Sequence, residues 1–213
     1  MRLLLVALVL LAAGPARADD DAHLLAGVRA FQAGHYDEAL VELRLVERSP
    51  RRPDDLAFYL GPTLYKLGRY SEALVIFRRS RAAPDALSQL YLGQTLYQLG
   101  LYTGAREAFA SAIARGLGPK LDAAARRYLE LVDRLYATPP GAVAVEAYLD
   151  AGLRLAARGE QELAAAYLEE AHRVSLRGGR HRYRDIVAAL ADLASRAGPP
   201  SAQGRELPAS TGP

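Results

Sequence analysis

Apolar side chains recur at three- and four-residue spacing along most of this chain, and glycines cut the runs at regular intervals. Leu60, Leu64 and Leu67 share one helix face. Gly68 ends that run, and Tyr70, Ala73, Leu74 and Phe77 form the stripe of a second helix. The same order appears upstream as Phe31, Gly34, Tyr36, Ala39, Leu40, Leu43 and Val46. It returns downstream as Leu92, Leu96, Leu99, Gly100, Tyr102, Ala105, Phe109 and Ala112. Residues 120–137 predict one amphipathic helix with Leu121, Ala125, Tyr128, Leu129, Val132 and Leu135 on a stripe, stopped by Pro139-Pro140-Gly141. Residues 142–158 and 161–173 predict a further pair around Gly152, Gly159, Ala164, Leu168 and Ala171. Ile186, Ala189, Leu190 and Leu193 mark a last helix, expected to cap it. From Gly198 the periodicity is lost and Pro, Gly and Ser dominate, which predicts a disordered tail.

Aligned on their glycines, the pairs spell one phrase. It reads Gly27, Gly34, Tyr36, Ala39, then Gly61, Gly68, Tyr70, Ala73, then Gly93, Gly100, Tyr102, Ala105, with periods of 34 and 32 residues. Gly152, Gly159, Gln161 and Ala164 form a looser fourth copy. Self-similarity at this period marks a solenoid of helix pairs, which serves binding more often than chemistry. The first Gly and the Ala are small enough for two helices to cross closely. The second Gly takes a left-handed backbone and ends the first helix. The Tyr covers the turn with its ring, and the later Phe or Leu is expected to plug the gap to the next repeat.

This phrase resembles the tetratricopeptide repeat (TPR) family, over about residues 20–117. His23, Ala57 and Gln89 replace the large aromatic that the family often has early in the first helix. The closing proline is present as Pro50 and Pro84 and missing after the third copy. The resemblance implies an all-α, right-handed superhelical solenoid of antiparallel helix pairs, about ten helices in all. The expected organisation is an export signal at 1–18, three repeats at 19–117 and a connecting helix at 118–138. A degenerate pair at 142–176, a capping helix at 181–197 and the tail at 198–213 follow.

The ends and the charge refine this picture. Arg2, an unbroken apolar run over residues 3–13 and the small-x-small Ala16-Arg17-Ala18 predict an export signal cleaved before Asp19, with an uncleaved anchor as the alternative. At 11 residues that run is short of the roughly 20 needed to span a bilayer. With no Cys in the chain, a lipid-modified N-terminus, disulfides and thiolate metal sites are excluded. The formal charge is +3, from 27 basic and 24 acidic residues; loss of Arg2 and Arg17 leaves +1. Nothing in that balance calls for nucleic acid. Abundant Arg and Ala with few Lys suggest a GC-rich bacterial gene, hence a periplasmic or secreted setting.

In TPR proteins the first helices of successive pairs line a concave groove. Carried over, the resemblance implies a lining of Leu24, Val28, Phe31 and Gln32, then Phe58, Pro62, Tyr65 and Lys66, then Leu90, Gln94, Tyr97 and Gln98. Phe31, Tyr65 and Tyr97 would form an aromatic ladder; the alternative is that these rings only pack between helices. The residues that clamp acidic chaperone tails in some relatives are here Leu24, Val28, Phe58, Pro62, Leu90 and Gln94. None is basic, so an apolar or aromatic partner segment is expected. Pro62 predicts a kink in its helix.

Arg173, Arg177, Arg180, His181, Arg182 and Arg184 bracket Gly178-Gly179, and a loop is expected there. Such a cluster suits phospholipid headgroups or an acidic partner, or is simply a solvated surface. His23, His35, His172 and His181 are scattered without ligand spacing, so no metal site or cofactor is expected. Glu169 and Glu170 stand near His172 in sequence but project from a helix in different directions. The sequence therefore reads as a non-catalytic protein–protein scaffold of the bacterial cell envelope, binding an unidentified protein partner. The alternative is a membrane-surface or polyanion binder acting through the basic stretch; a catalytic role has no residues to support it.

Overall fold

The structure, a computed structural model, describes residues 14–50, 52–80, 82–136 and 141–197. The chain divides into two compact units, residues 1–140 and 141–213. The described residues form ten α-helices and no strand. The first unit holds α1 (Gly14–Ala33), α2 (Tyr36–Arg48), α3 (Ala57–Lys66), α4 (Tyr70–Arg79), α5 (Ala86–Gln98), α6 (Tyr102–Ala114) and α7 (Pro119–Tyr136), with a 3₁₀ turn, Asp54–Leu56, leading into α3. The second holds α8 (Ala142–Ala157), α9 (Gln161–Arg177) and α10 (Tyr183–Ala197).

Four helix pairs close on one turn. Gly34, Gly68, Gly100 and Gly159 take φ of 83°, 72°, 75° and 78°, a region that costs any residue with a Cβ about 1 kcal/mol. At the first turn, Gly34 N–H donates to the Phe31 carbonyl at 3.0 Å and His35 N–H to the Ala30 carbonyl at 2.9 Å. The same two bonds recur after Gly68, Gly100 and Gly159. Each turn thus satisfies two of the carbonyls that a helix end leaves orphaned, and the next helix starts at once.

The first glycine of each pair sets how closely the helices cross. A Cβ on Gly27 would stand 2.8 Å from Leu43 Cγ, and on Gly61 2.5 Å from the Phe77 ring. On Gly93 it would stand 2.7 Å from the Phe109 ring, and on Gly152 2.7 Å from Leu168 Cγ. Ala39, Ala73, Ala105 and Ala164 are fully buried at these crossings. The large residue, expected to plug the gap to the next repeat, has a second role. It fills the hollow left by its own pair's glycine, because that is where a missing Cβ leaves room. Phe109 also stacks on Tyr128 of the following helix, centroids 5.2 Å apart and planes 14° apart, and Leu43 shares a core with Leu60 and Leu64 of the next pair.

In the first unit α3 packs on α2, α5 on α4 and α7 on α6, while α1 touches α3 and α3 touches α5. Second helices reach the next pair through its first helix, so the row of first helices forms the inner face of the stack. Leu43, Val46, Leu56, Leu60, Leu64 and Ala73 join the first two pairs in one core. Arg44, 2.7 Å from Glu72, ties α2 to α4 at its edge. The helix runs through Pro62, which is buried in α3. α7 takes the place of a further first helix, with Ala125 and Val132 fully buried. Its predicted stripe is only half covered: Leu121 and Leu135 are 40% and 53% exposed, and α7 packs mainly on α6.

In the second unit Val145, Leu149, Ala164, Leu168, Ala171 and Val174 form the core of the α8–α9 pair, and Ile186 and Leu193 of α10 pack into the same core. No helix among the described residues is long and apolar enough to cross a membrane. α1 begins at Gly14, inside the stretch read as an export signal; residues 1–13, the Pro139-Pro140 stop and the 198–213 tail lie outside the described residues.

Candidate partner-binding groove

The inner face of the first unit carries a chain of aromatic rings, placed by the turns. A ring five residues before the phrase tyrosine lies across the glycine from it, so each turn holds one aromatic pair. Phe31 meets Tyr36 at 5.5 Å, Tyr65 meets Tyr70 at 5.6 Å and Tyr97 meets Tyr102 at 5.6 Å, all tilted or edge-on. These geometries suit the ring quadrupole and hold each ring against its partner across the turn.

Two further rings join the pairs. Tyr91 of α5 packs edge-on to Tyr65 at 5.6 Å, and Tyr128 of α7 packs edge-on to Tyr97 at 5.5 Å. The Tyr65 hydroxyl donates to the Tyr128 hydroxyl and accepts from the Gln98 amide. Burial first, then the neighbouring Tyr128 and Tyr70, push the Tyr65 hydroxyl up to about 12. Burial, then Tyr36, also raises Tyr91. Both hydroxyls stay protonated across the physiological range, and the Tyr65 proton is engaged by Tyr128. The Lys66 ammonium stands 5.9 Å over the Tyr91 ring.

The residues implied for this groove divide into three kinds. Leu24, Val28, Phe31, Phe58, Tyr65, Gln94 and Tyr97 are half-buried, and Gln32, Lys66 and Gln98 are exposed at the rim. Leu90, 3% exposed, and Pro62 sit between packed elements and present no groove surface. Burying an apolar side chain of that size gains about 2 kcal/mol, which favours packing over display. Tyr36, Tyr91 and Tyr128, absent from the implied lining, pack beside Phe31, Tyr65 and Tyr97. Tyr128 was visible as a stripe residue of α7, but its place beside Tyr97 depends on how α7 packs.

The basic stretch is less of a loop than expected. Arg173 and Arg177 lie on α9, Arg184 on α10, and only residues 178–182 connect them. Arg173 stands 3.9 Å from Glu169 and 4.0 Å from the buried Glu170, and Arg182 2.6 Å from Asp185. Arg180 lies over the Tyr183 ring at 5.9 Å. His181 Nε2 is 3.2 Å from Glu146, and the Ser175 hydroxyl donates to the His181 carbonyl at 2.6 Å. Cations and carboxylates therefore alternate here. Among the described residues no group of three His, Cys, Asp or Glu could hold a metal ion.

The tetratricopeptide repeat profile matches twice, over residues 24–86 and 58–120. Residues 24–120 are similar to the TPR family. Together with the three in-register pairs, that match supports the family for this segment. Solved structures similar to the chain include the TPR2AB domain–pHSP90 complex of yeast Sti1, at 17% identity over 83% of this chain and 71% of that one, TM-score 0.44. The MamA protein is similar at 16% identity over 83% and 87%, TM-score 0.40, and a MamA RS-1 double mutant at 16% over 84% and 97%, TM-score 0.38. No curated protein sequence matches the chain. The fourth pair lies beyond the TPR match, yet it repeats the turn and the glycine crossing of the other three.

Proposed function

We propose that this protein is a non-catalytic scaffold of the bacterial cell envelope that holds a segment of another protein against the inner face of α1, α3 and α5. It acts in the periplasm or outside the cell, after cleavage following Ala18. The observation that carries the reading is the connected row of half-buried rings with Lys66 and Gln98 at its rim. Half-buried aromatics on a fixed scaffold offer large contact area at small entropic cost, as binding hot spots require. A TPR-type stack of helix pairs fits such a role. Membrane-surface or polyanion binding through Arg173, Arg177, Arg180, Arg182 and Arg184 is the weaker reading, since Glu169, Glu170 and Asp185 offset part of that charge.

In-cell photo-crosslinking from Phe31, Tyr65 and Tyr97 tests the groove. Capture of one protein from these positions, and none from Val41 on α2, is the expected result. Capture from Val41 alone removes the proposal.

A further inference from the structure

Four residues before the first glycine of each pair, the chain places His23, Ala57, Gln89 and Tyr148. These side chains differ in size, and the packing around them differs accordingly. In the fourth pair the Tyr148 ring packs against the core of its unit and meets Tyr167 at 6.5 Å. In the third, Gln89 lines a cavity of about 100 Å³ beside Pro84, Ser88 and Leu92. In the second, Ala57 lines the corresponding cavity beside Pro50, Leu56 and Leu60, and it measures about 280 Å³. From Gln89 to Ala57 the space grows as the side chain shrinks. It lies at the register where the fourth pair carries a ring.

The larger cavity sits where α2 ends, α3 starts and α4 ends, and none of its lining residues belongs to the implied groove. Its floor of Leu56, Ala57, Leu60 and Ile76 is apolar. Around that floor Glu47 and Asp54 balance Arg52 and Arg79, so the cavity selects for neither charge. Ser80 lies in the wall of both cavities, and its Oγ is buried with no hydrogen-bond partner among the described residues. A buried hydroxyl left unpaired is costly, and a guest with a polar edge would relieve it. An apolar cavity of about 150 Å³ already takes a benzene-sized ring. At about 280 Å³ this one has room for a fused pair of rings.

We propose that this cavity binds an uncharged aromatic ring with a hydrogen-bonding edge, of the indole or phenol class. The ring seats on Ala57, in the place that Tyr148 fills for the fourth pair, and its polar edge bonds to Ser80 Oγ. A free small molecule and the side chain of another protein both offer that chemistry. The site stands independently of the groove.

Isothermal titration of the full chain from Asp19 with indole, N-acetyltryptophan amide and cyclohexanol tests this. Indole should bind saturably, with a Kd of about 1 mM or tighter. Binding should weaken about fivefold in Ser80→Ala and be lost in Ala57→Trp, whose own ring fills the space. Circular dichroism checks that each variant folds, and Ala57→Trp should also raise Tm as a filled cavity does. Should the tryptophan variant not fold, Ala57→Leu fills less of the space and should still weaken indole at least threefold. N-acetyltryptophan amide bound as tightly as indole assigns the ring to a partner's side chain; indole bound without it assigns a free molecule. Cyclohexanol bound as tightly as indole overturns the aromatic class. Indole binding that the Ala57 variants leave unchanged, or no indole binding at all, overturns the site, and neither result touches the groove reading.

Discussion

Gly61 and Gly34 are glycines for different reasons, and substitution separates them. Alanine at Gly61 forces a Cβ to 2.5 Å from the Phe77 ring, an overpacking cost of about 1–3 kcal/mol. Alanine at Gly34 meets nothing within 4 Å, so its cost is the left-handed backbone alone, about 1 kcal/mol. Shrinking the ring with Phe77→Leu should recover part of the Gly61→Ala loss and none of the Gly34→Ala loss, as urea denaturation of the four variants would read. Ser80 offers the opposite sign. Its hydroxyl is buried with no hydrogen-bond partner among the described residues, so Ser80→Ala should raise stability by about 1 kcal/mol or leave it unchanged. Tyr65 sets a pH dependence. Its folded-state value of about 12 lies above the unfolded value near 10, so its contribution is complete below pH 10 and is lost as pH rises toward 12. Stability measured over that window should fall less steeply in Tyr65→Phe.

At the scale of the helix pair, the turn and the crossing were legible because glycine and alanine leave few alternatives where backbone must turn left-handed or approach closely. The phrase tyrosine was legible in position but not in purpose. Phe31, Tyr65 and Tyr97 each stand opposite the tyrosine five residues on, whereas the fourth pair has Ala156 opposite Gln161. Gln161 is thus no decay of the fold: with no ring to meet, a tyrosine there has nothing to pack on. Thermal melts should show Tyr102→Gln destabilising by about 1 kcal/mol or more, and Gln161→Tyr giving no matching gain. The connection between α9 and α10 shows a different tension. Arg180 and Arg182 hold φ of 65° and 54°, a left-handed backbone without glycine. Replacing either by Gly should stabilise the second unit by about 0.5–1 kcal/mol, provided the lost Arg182–Asp185 pair is as weak as exposed pairs are.

For the whole molecule, charge and export carry the predictions. The proposed cleavage leaves a net charge of only +1, so partner binding in the groove should depend weakly on salt, whereas polyanion binding would fall steeply. N-terminal sequencing of protein recovered from the exported fraction should begin at Asp19. A cytoplasmic protein that retains Met1 would refute the setting.

Sequence alone determined the helix pairs, their period and the residues at their turns and crossings. Those features are local: they follow from backbone stereochemistry and helical periodicity within about forty residues. Tertiary packing decided what the large residues do. It turned Phe77 and Phe109 onto their own glycines, buried Leu90 and Pro62, left Leu121 and Leu135 half-covered, and brought Tyr91 and Tyr128 beside Tyr65 and Tyr97. Periodicity says which face of a helix is apolar. Which neighbour covers that face, and how much of it stays open to a partner, depends on contacts between residues far apart in the chain.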